Sequence, residues 1–366
     1  MKYYLIAGEA SGDLHGANLM KEILKTDIQA EFRFWGGDKM ATVGGYQVEH
    51  YKNTAFMGFL EVIKNLRTIL SFIKFCKQDI TNWKPDVVIL IDYPGFNMRV
   101  AKHAKENGFK VVYYISPQVW AWKENRVKKI KLYVDKMLVI LPFEKPFYEG
   151  KWNYHVDFVG HPLLDEIESY NNYELQLNNN DKPIIAILPG SRVQEIKKIL
   201  PEFLSITKHF PEYYFVIAGM KHLGVEFYNQ FTIDKNIEIV FEKTYHLLNV
   251  SYASLVASGT ATLEAALFNT PMIVGYKGSW FSYQIGKRLV KNIKYISLVN
   301  LIMDKEVVKE LIQDDLNEYN LKKEFTSLLT LSNQYIIRQD FNILKNKLGN
   351  KGASERASKI ISDLLS

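Results

Sequence analysis

The chain has 366 residues, more than a single hydrophobic core usually serves, so length alone points to two domains. Its 47% apolar and 23% charged composition is globular, and a net charge of +6 fits anionic substrates or an anionic membrane surface, with no arginine-rich tract or aromatic signature of a nucleic-acid binder. The lone Cys76 excludes an intrachain disulfide and a multi-cysteine metal site, and suits a reducing cytosol.

The opening M-K-Y-Y-L-I-A-G is too short for a secretory leader, because Glu9 and Asp13 end the apolar run. No stretch reaches the roughly 18 apolar residues of a membrane span, so a soluble or membrane-peripheral protein is expected. Tyr3 to Ala7 reads as a strand that enters the loop G-E-A-S-G-D-L-H-G-A, and Leu14 to Leu24 has helical spacing. Gly8, Gly12 and Gly16 are spaced G-x-x-x-G-x-x-x-G, which is not the dinucleotide fingerprint. Phe32 to Trp35 is a second strand. Ala55 to Ile80 mixes Phe, Leu and Ile with Lys and Arg; it reads as a core helix with snorkelling lysines or as an amphipathic helix against a membrane. Asp86 to Ile91 is a strand apolar enough to be buried on both faces, and it delivers Asp92 at its C-terminal end. Lys110 to Ile115 follows, then an aromatic, strongly basic segment from Ser116 to Lys131 expected to be helical. Strands at Met137 to Leu141 and Val156 to Val159 complete the first half, and the polar run after Tyr170 reads as a linker.

The second half repeats the alternation. Strands are expected at Ile184 to Leu188, Tyr214 to Ala218, Ile237 to Phe241, Leu255 to Ala257, Met272 to Val274 and Tyr295 to Val299, with helices that include Thr260 to Phe268 and Phe281 to Val290. No strand is expected after Asp304, and the tail reads as helices. Two doubly wound parallel α/β sheets with a helical C-terminal tail is the layout of an enzyme whose ligands meet in a cleft between domains.

Two strand-to-helix turns in the second half suit phosphate. In Pro183 to Glu195, Pro189-Gly190 turns the chain, Ser191 and Gln194 have capping-box spacing, and Arg192 stands in the first helical turn. Alone, this is equally an ordinary capped connection. In Ser258-Gly259-Thr260-Ala261-Thr262-Leu263-Glu264, Thr260 can cap the helix but its box partner is Leu263, which frees Glu264 to accept hydrogen bonds from ribose hydroxyls. Together the two turns favour a nucleotide diphosphate site. No Asp-x-Asp occurs, so Arg192 and the helix dipoles stand where a metal would otherwise stabilise the leaving group.

In the first half Asp92 is the leading general base, since desolvation at the mouth of a buried strand raises a carboxylate's pKa; its simpler role is to cap the turn before Pro94. Glu9, Ser11, Asp13 and His15 are further polar candidates, each also an ordinary loop hydrogen-bonder. His161, alone before Pro162, is expected to be structural.

Eight motifs in order carry a family resemblance: A-G-E-A-S-G-D at 7 to 13, M-G-F-L-E-V at 57 to 62, I-D-Y-P-G-F-N at 91 to 97, Y-I-S-P-Q-V-W-A-W at 114 to 122, L-P-F-E at 141 to 144, L-P-G-S-R-x-x-E at 188 to 195, A-S-G-T-A-T-L-E at 257 to 264 and K-R-L-V-K at 287 to 291. The chain resembles the lipid-A-disaccharide synthases over nearly its whole length. It departs from their pattern at Leu14-His15, at Val299 before Asn300 and at Met303-Asp304-Lys305.

The resemblance implies a GT-B fold: an N-terminal acceptor- and membrane-facing domain over 1–175, a UDP-sugar-binding domain over 182–345, and a tail over 346–366 that packs on the first domain or on a partner subunit. It implies an inverting, cofactor-free and metal-independent transfer from UDP-2,3-diacylglucosamine to the 6-hydroxyl of 2,3-diacylglucosamine 1-phosphate. The site it implies pairs Asp92 and Arg192 as catalytic groups with Gly190, Ser191, Arg192, Glu195, Ser258, Gly259, Thr260, Glu264, Asn300, Glu310 and Gln313 on the donor side. Glu9, Ser11 and Asp13 stand on the acceptor side. It also implies a cytoplasmic protein peripheral to the inner membrane, with a homodimer through the C-terminal segment as a family arrangement. Ala55 to Ile80 then turns towards acyl chains or bilayer, and Lys123, Arg126, Lys128, Lys129 and Lys131 towards lipid phosphates. Two other readings remain: a UDP-sugar 2-epimerase of the same fold, and an inactive nucleotide-sugar binder.

Overall fold

The computed structural model describes the chain except residues 55–65, 122–123, 169, 171–176, 178–180, 233–236 and 279–293. Outside the described residues lie the start of the Ala55 to Ile80 stretch, Lys123, most of the asparagine-rich linker, the expected Phe281 to Val290 helix and the motifs at 57 to 62 and 287 to 291. The chain divides into two compact units, Met1–Asp165 with Leu348–Ser366, and Glu166–Lys347.

The first unit holds a sheet of seven parallel strands: β1 (Lys2–Ala7), β2 (Glu31–Gly36), β3 (Tyr46–His50), β4 (Val87–Ile91), β5 (Lys110–Tyr114), β6 (Lys136–Val139) and β7 (Asp157–Phe158), ordered β3-β2-β1-β4-β5-β6-β7. Every residue of β4 is buried, as helices on both faces of a parallel sheet require. Each such side chain contributes about 1.5–3 kcal/mol. One face carries Tyr4, Ile6, Val88, Leu90, Val111 and Tyr113 into a core with Ile73, Val100 and Ile130. On the unit's helical layer, Ala353–Leu365 packs on Ala10–Thr26. Its start is tied down by the Asp165 carboxylate, which accepts from Gly352 N at 2.6 Å, and by Arg356, whose Nε donates to the Val159 carbonyl at 2.8 Å.

The second unit holds six parallel strands: β8 (Ile184–Leu188), β9 (Tyr214–Gly219), β10 (Ile237–Phe241), β11 (Ala253–Ala257), β12 (Met272–Tyr276) and β13 (Lys309–Ile312), ordered β10-β9-β8-β11-β12-β13. In both sheets the strand order reverses at one place, between β1 and β4 and between β8 and β11. The crevice beyond the strand ends at such a reversal is where open α/β sheets bind ligands.

Four local expectations are corrected. The segment expected to be a strand at Tyr295 to Val299 runs into a helix, Leu298–Met303, because Ser297 accepts from Asn300 N and caps a run whose apolar spacing is helical; the sixth strand is the edge strand Lys309–Ile312. The first helix begins at Ala10, with Gly12 facing Ala7 and Gly16 facing Met40, so Ser11 and Asp13 lie in its first turn rather than in a loop. The basic segment is helical only over Val127–Tyr133, after a single turn at Glu124–Arg126; Pro117 and a left-handed Ile115 keep the chain irregular before it. The capping box of Ser191 and Gln194 does not form. That helix is Val193–Leu204, Arg192 is its N-cap residue without a side-chain cap, and Thr260 likewise makes no cap bond to Ala261–Leu267. Among the described residues no helix is long and apolar enough to cross a membrane.

Candidate active site

In the first unit, Ala7 pairs with Ile91 and Ile91 with Tyr114, so the residues that follow β1, β4 and β5 emerge along one edge. Asp92 and Tyr93 both adopt left-handed backbone, with φ of 44° and 49°, and Ile115 joins them at 66°. Such conformations cost non-glycine residues about 1–3 kcal/mol each and persist only where the surroundings impose them. Here Asp92 N donates to the Tyr114 carbonyl at 3.1 Å, and the Asp92 carbonyl accepts from Tyr113 Oη at 2.6 Å and Asn97 Nδ2 at 2.8 Å. The Tyr93 ring stacks on Phe96 at 5.3 Å and lies over Gly8, where a Cβ would meet it at 2.3 Å, so only glycine fits at residue 8. The helix Pro94–Glu106 starts at Tyr93 without a side-chain cap, which leaves the Asp92 carboxylate outside the capping role. Burial, and after it the Glu9 charge, push the Asp92 carboxyl up to about 7, with the Tyr93 N–H acting the other way.

Of the three acceptor-side residues, Glu9 is brought to Asp92, and Ser11 Oγ donates to Glu9 Oε1 at 2.8 Å. Asp13 is turned elsewhere: its buried carboxylate accepts from the Gly37, Lys39 and Met40 N–H groups at 2.6, 3.0 and 3.1 Å, anchoring the next helix, Asp38–Val43. His161 is buried, its Nδ1 accepting from Leu163 N at 3.2 Å, and burial pushes its pKa down to about 3.

In the second unit, Leu188 pairs with Val256 and Ala257 with Gly275, which sets the loops after β8 and β11 side by side. Ser191, Arg192, Gly259 and Thr260 are exposed there. Gly190 has φ of 103°, and a Cβ on it would strike Glu195 Oε2 at 2.3 Å: Glu195 folds back over the loop. Burial raises the Glu195 carboxyl, offset by the Arg192 charge and the N–H groups of Ser191 and Arg192. Glu264 sits one turn into Ala261–Leu267, and burial alone pushes its carboxyl up to about 7.

Ser258 Oγ donates to the Ile296 carbonyl at 3.1 Å, joining this loop to a buried clamp. Glu310 accepts from Ile296 N, Ser297 N and Ser297 Oγ at 2.9, 2.9 and 2.7 Å, and from Asn300 Nδ2 at 2.9 Å. Asn300 Nδ2 also donates to the Val308 carbonyl at 2.8 Å, and its Oδ1 accepts from Val307 N and Val308 N. Both side chains are thereby engaged within the protein. Gln313, with φ of 57° at the end of β13, carries a buried Nε2 that has no partner among the described residues.

Sequence reasoning gave no role to Tyr113, Asn97 or Glu144. Asn97 stands five residues after Asp92, where helical spacing returns its side chain to the strand end. Glu144 is buried, accepts from Leu141 N at 2.9 Å, and burial pushes its carboxyl up to about 7.

A family model described as lipid-A-disaccharide synthetase matches residues 3–363. Among curated relatives, the lipid-A-disaccharide synthase of Syntrophus aciditrophicus is 39% identical, covering 97% of this chain and 95% of its own, and that of Coxiella burnetii (strain CbuG_Q212) is 36% identical, covering 99% and 98%. Among solved structures, a kitacinnamycin glycosyltransferase superposes with a TM-score of 0.70 at 12% identity, covering 100% and 99% of the two chains. The UDP-N-acetylglucosamine 2-epimerase of Neisseria meningitidis bound to its UDP-sugar superposes with a TM-score of 0.65 at 15% identity, covering 100% and 99%. These structural likenesses establish the two-sheet GT-B fold. Matched from end to end by the family model and by full-length relatives, the chain belongs to the lipid-A-disaccharide synthase family.

Proposed function

We propose that this chain transfers 2,3-diacylglucosamine from its UDP conjugate to the 6-hydroxyl of 2,3-diacylglucosamine 1-phosphate, with inversion, releasing UDP. Family membership supports the substrates. The observation that carries the chemistry is the Asp92 carboxyl held at about 7 at the strand reversal, where it is partly ionised near neutrality and still basic enough to take a proton. Ionised Asp92 removes the acceptor hydroxyl proton as the oxygen bonds to the anomeric carbon. The bond from that carbon to the diphosphate breaks, and its electron pair leaves with UDP.

Arg192, at the N-cap of Val193–Leu204, and the Gly259-Thr260 turn stabilise the charge on the departing diphosphate. Glu195 shapes the loop that presents them. Glu264 receives the ribose hydroxyls, and Gln313 offers its unpartnered Nε2 to the donor. Asn300, Glu310 and Ser258 hold the surrounding loops. Glu9 and Ser11 face the acceptor, and Asp13 fixes their helix.

Two acylated substrates favour work at the inner-membrane surface. Exposed Leu132 on the same helix as exposed Lys128 and Lys129, and exposed Leu70 and Phe75 on Leu66–Trp83, support peripheral attachment there. Sedimentation with anionic against neutral vesicles tests it, and light scattering tests a homodimer. The reaction itself is tested by incubating the protein with both diacylated sugars and a chelator, and weighing the products by mass spectrometry. Disaccharide 1-phosphate with one UDP per turnover is expected; no disaccharide, or epimerised UDP-N-acetylglucosamine in a parallel incubation, would overturn the proposal.

A further inference from the structure

The Asp92 elbow rests on two buried side chains from elsewhere in the fold. Tyr113, on β5, directs its hydroxyl to the Asp92 carbonyl at 2.6 Å, the one hydrogen bond that hydroxyl donates. Asn97 is fully buried; its Nδ2 lies 3.4, 3.2 and 2.8 Å from the carbonyls of Ile6, Ile91 and Asp92, so it ties the ends of β1 and β4 together where the strand order reverses. Its Oδ1 is buried without a donor among the described residues. An unpaired buried carbonyl is costly, and an apolar side chain of similar size would avoid that cost while filling the same space. What an apolar residue cannot do is hold a carbonyl, and the carbonyl held belongs to a residue at φ of 44°.

We propose that Tyr113 and Asn97 are positioning residues for acceptor deprotonation, clamping the Asp92 carbonyl so that residues 92 and 93 stay left-handed and the Asp92 carboxylate stays fixed beside Glu9. The inference rests on the reading of Asp92 as general base. With either clamp removed, the elbow relaxes towards ordinary backbone, and the carboxylate leaves both its productive position and its buried setting. Among the described residues, the groups facing Asp92 are Glu9 from the end of β1 and Tyr113 from β5, with Arg126 close enough to act on Tyr113. Glu9 raises the Asp92 pKa and burial raises it more, so release into solvent lowers it.

The test measures kcat, acceptor KM, the pH profile of kcat/KM and the UDP dissociation constant for Tyr113→Phe, Asn97→Ala and Asp92→Asn side by side. Each clamp variant is expected to lose about 10- to 100-fold in kcat, with UDP affinity unchanged within about two-fold. The acid limb of kcat/KM should move to lower pH than in the parent enzyme. Parental kcat, or a reduced kcat with the acid limb unmoved, would overturn the proposal. If Asp92→Asn keeps full turnover, the base reading falls and takes this one with it; if Asp92→Asn is inactive while both clamp variants behave as the parent, positioning alone fails. Should one clamp variant not fold, by circular dichroism and melting, the other decides, and failure of both to fold would assign the pair to stability and overturn the proposal.

Discussion

The two strand reversals share a topology and solve opposite electrostatic problems. At the end of β4 a carboxylate is partly buried beside a second carboxylate, on a backbone bent left-handed at two consecutive residues, and its pKa rises to about 7. At the end of β8 the backbone turns on a glycine, and exposed Ser191 and Arg192 lead into a helix N-terminus. In the proposed mechanism the first edge supplies the base and the second the positive charge that meets the diphosphate: the fold provides a strand reversal in both units, and the side chains at each turn set its chemistry.

Single substitutions should separate the two edges. The largest expected effect is on Asp92→Asn: kcat falls about 10²- to 10⁴-fold while UDP binds as before, read by steady-state kinetics and calorimetry. Arg192→Ala should weaken UDP by about 10- to 100-fold and slow turnover, with Arg192→Lys recovering part of the binding and little of the fork geometry, read by titration calorimetry. Glu264→Gln should weaken UDP about 10-fold and leave UMP and UDP discrimination unchanged, since it acts on ribose and not on the second phosphate.

A thermodynamic contrast sharpens the comparison. The Asp92 carboxyl has a folded pKa above its unfolded value, so protonation favours the fold; that contribution is complete below about pH 4 and lost as pH rises to about 7. Asp92→Asn should therefore be more stable than the parent at pH 8, by about 1–3 kcal/mol, and lose that advantage by pH 4, as chemical denaturation will show. Arg192→Ala, at an exposed residue, should change stability by about 0.5 kcal/mol or less at either pH.

Much of this was legible in the sequence wherever the signal was local. All-apolar runs such as Val87–Ile91 have one home in a soluble α/β chain, the middle of a parallel sheet, and the residue after such a run stands at the binding edge by construction. Asp92 is singled out on that ground, whereas Arg192 and Glu264 rest on the helix starts that follow their strands. Errors arose where local signals compete. The run I-S-L-V-N-L-I-M fits a strand or a helix, and the Ser297 cap decided it. Lys309–Ile312 is a four-residue edge strand, half polar, and gives almost no periodic signal. The capping-box spacing of Ser191 and Gln194 was real but idle, because Glu195 covers the loop instead.

The supports were invisible for a different reason. Tyr113 reaches Asp92 from a neighbouring strand 21 residues away, and Asp13 reaches Gly37 from 24 residues away, pairings that only the strand order creates. Asn300 and Glu310 were read as lining the donor, and the structure engages them in a clamp around Ile296, Ser297 and Val308.

The division of labour between the two edges is tested most directly by UDP titration calorimetry on Asp92→Asn and Arg192→Ala under one set of conditions. The expected result is parental affinity for the first, with turnover abolished, and affinity weakened about 10-fold or more for the second. Equal weakening in both, or full turnover by Asp92→Asn, would contradict it.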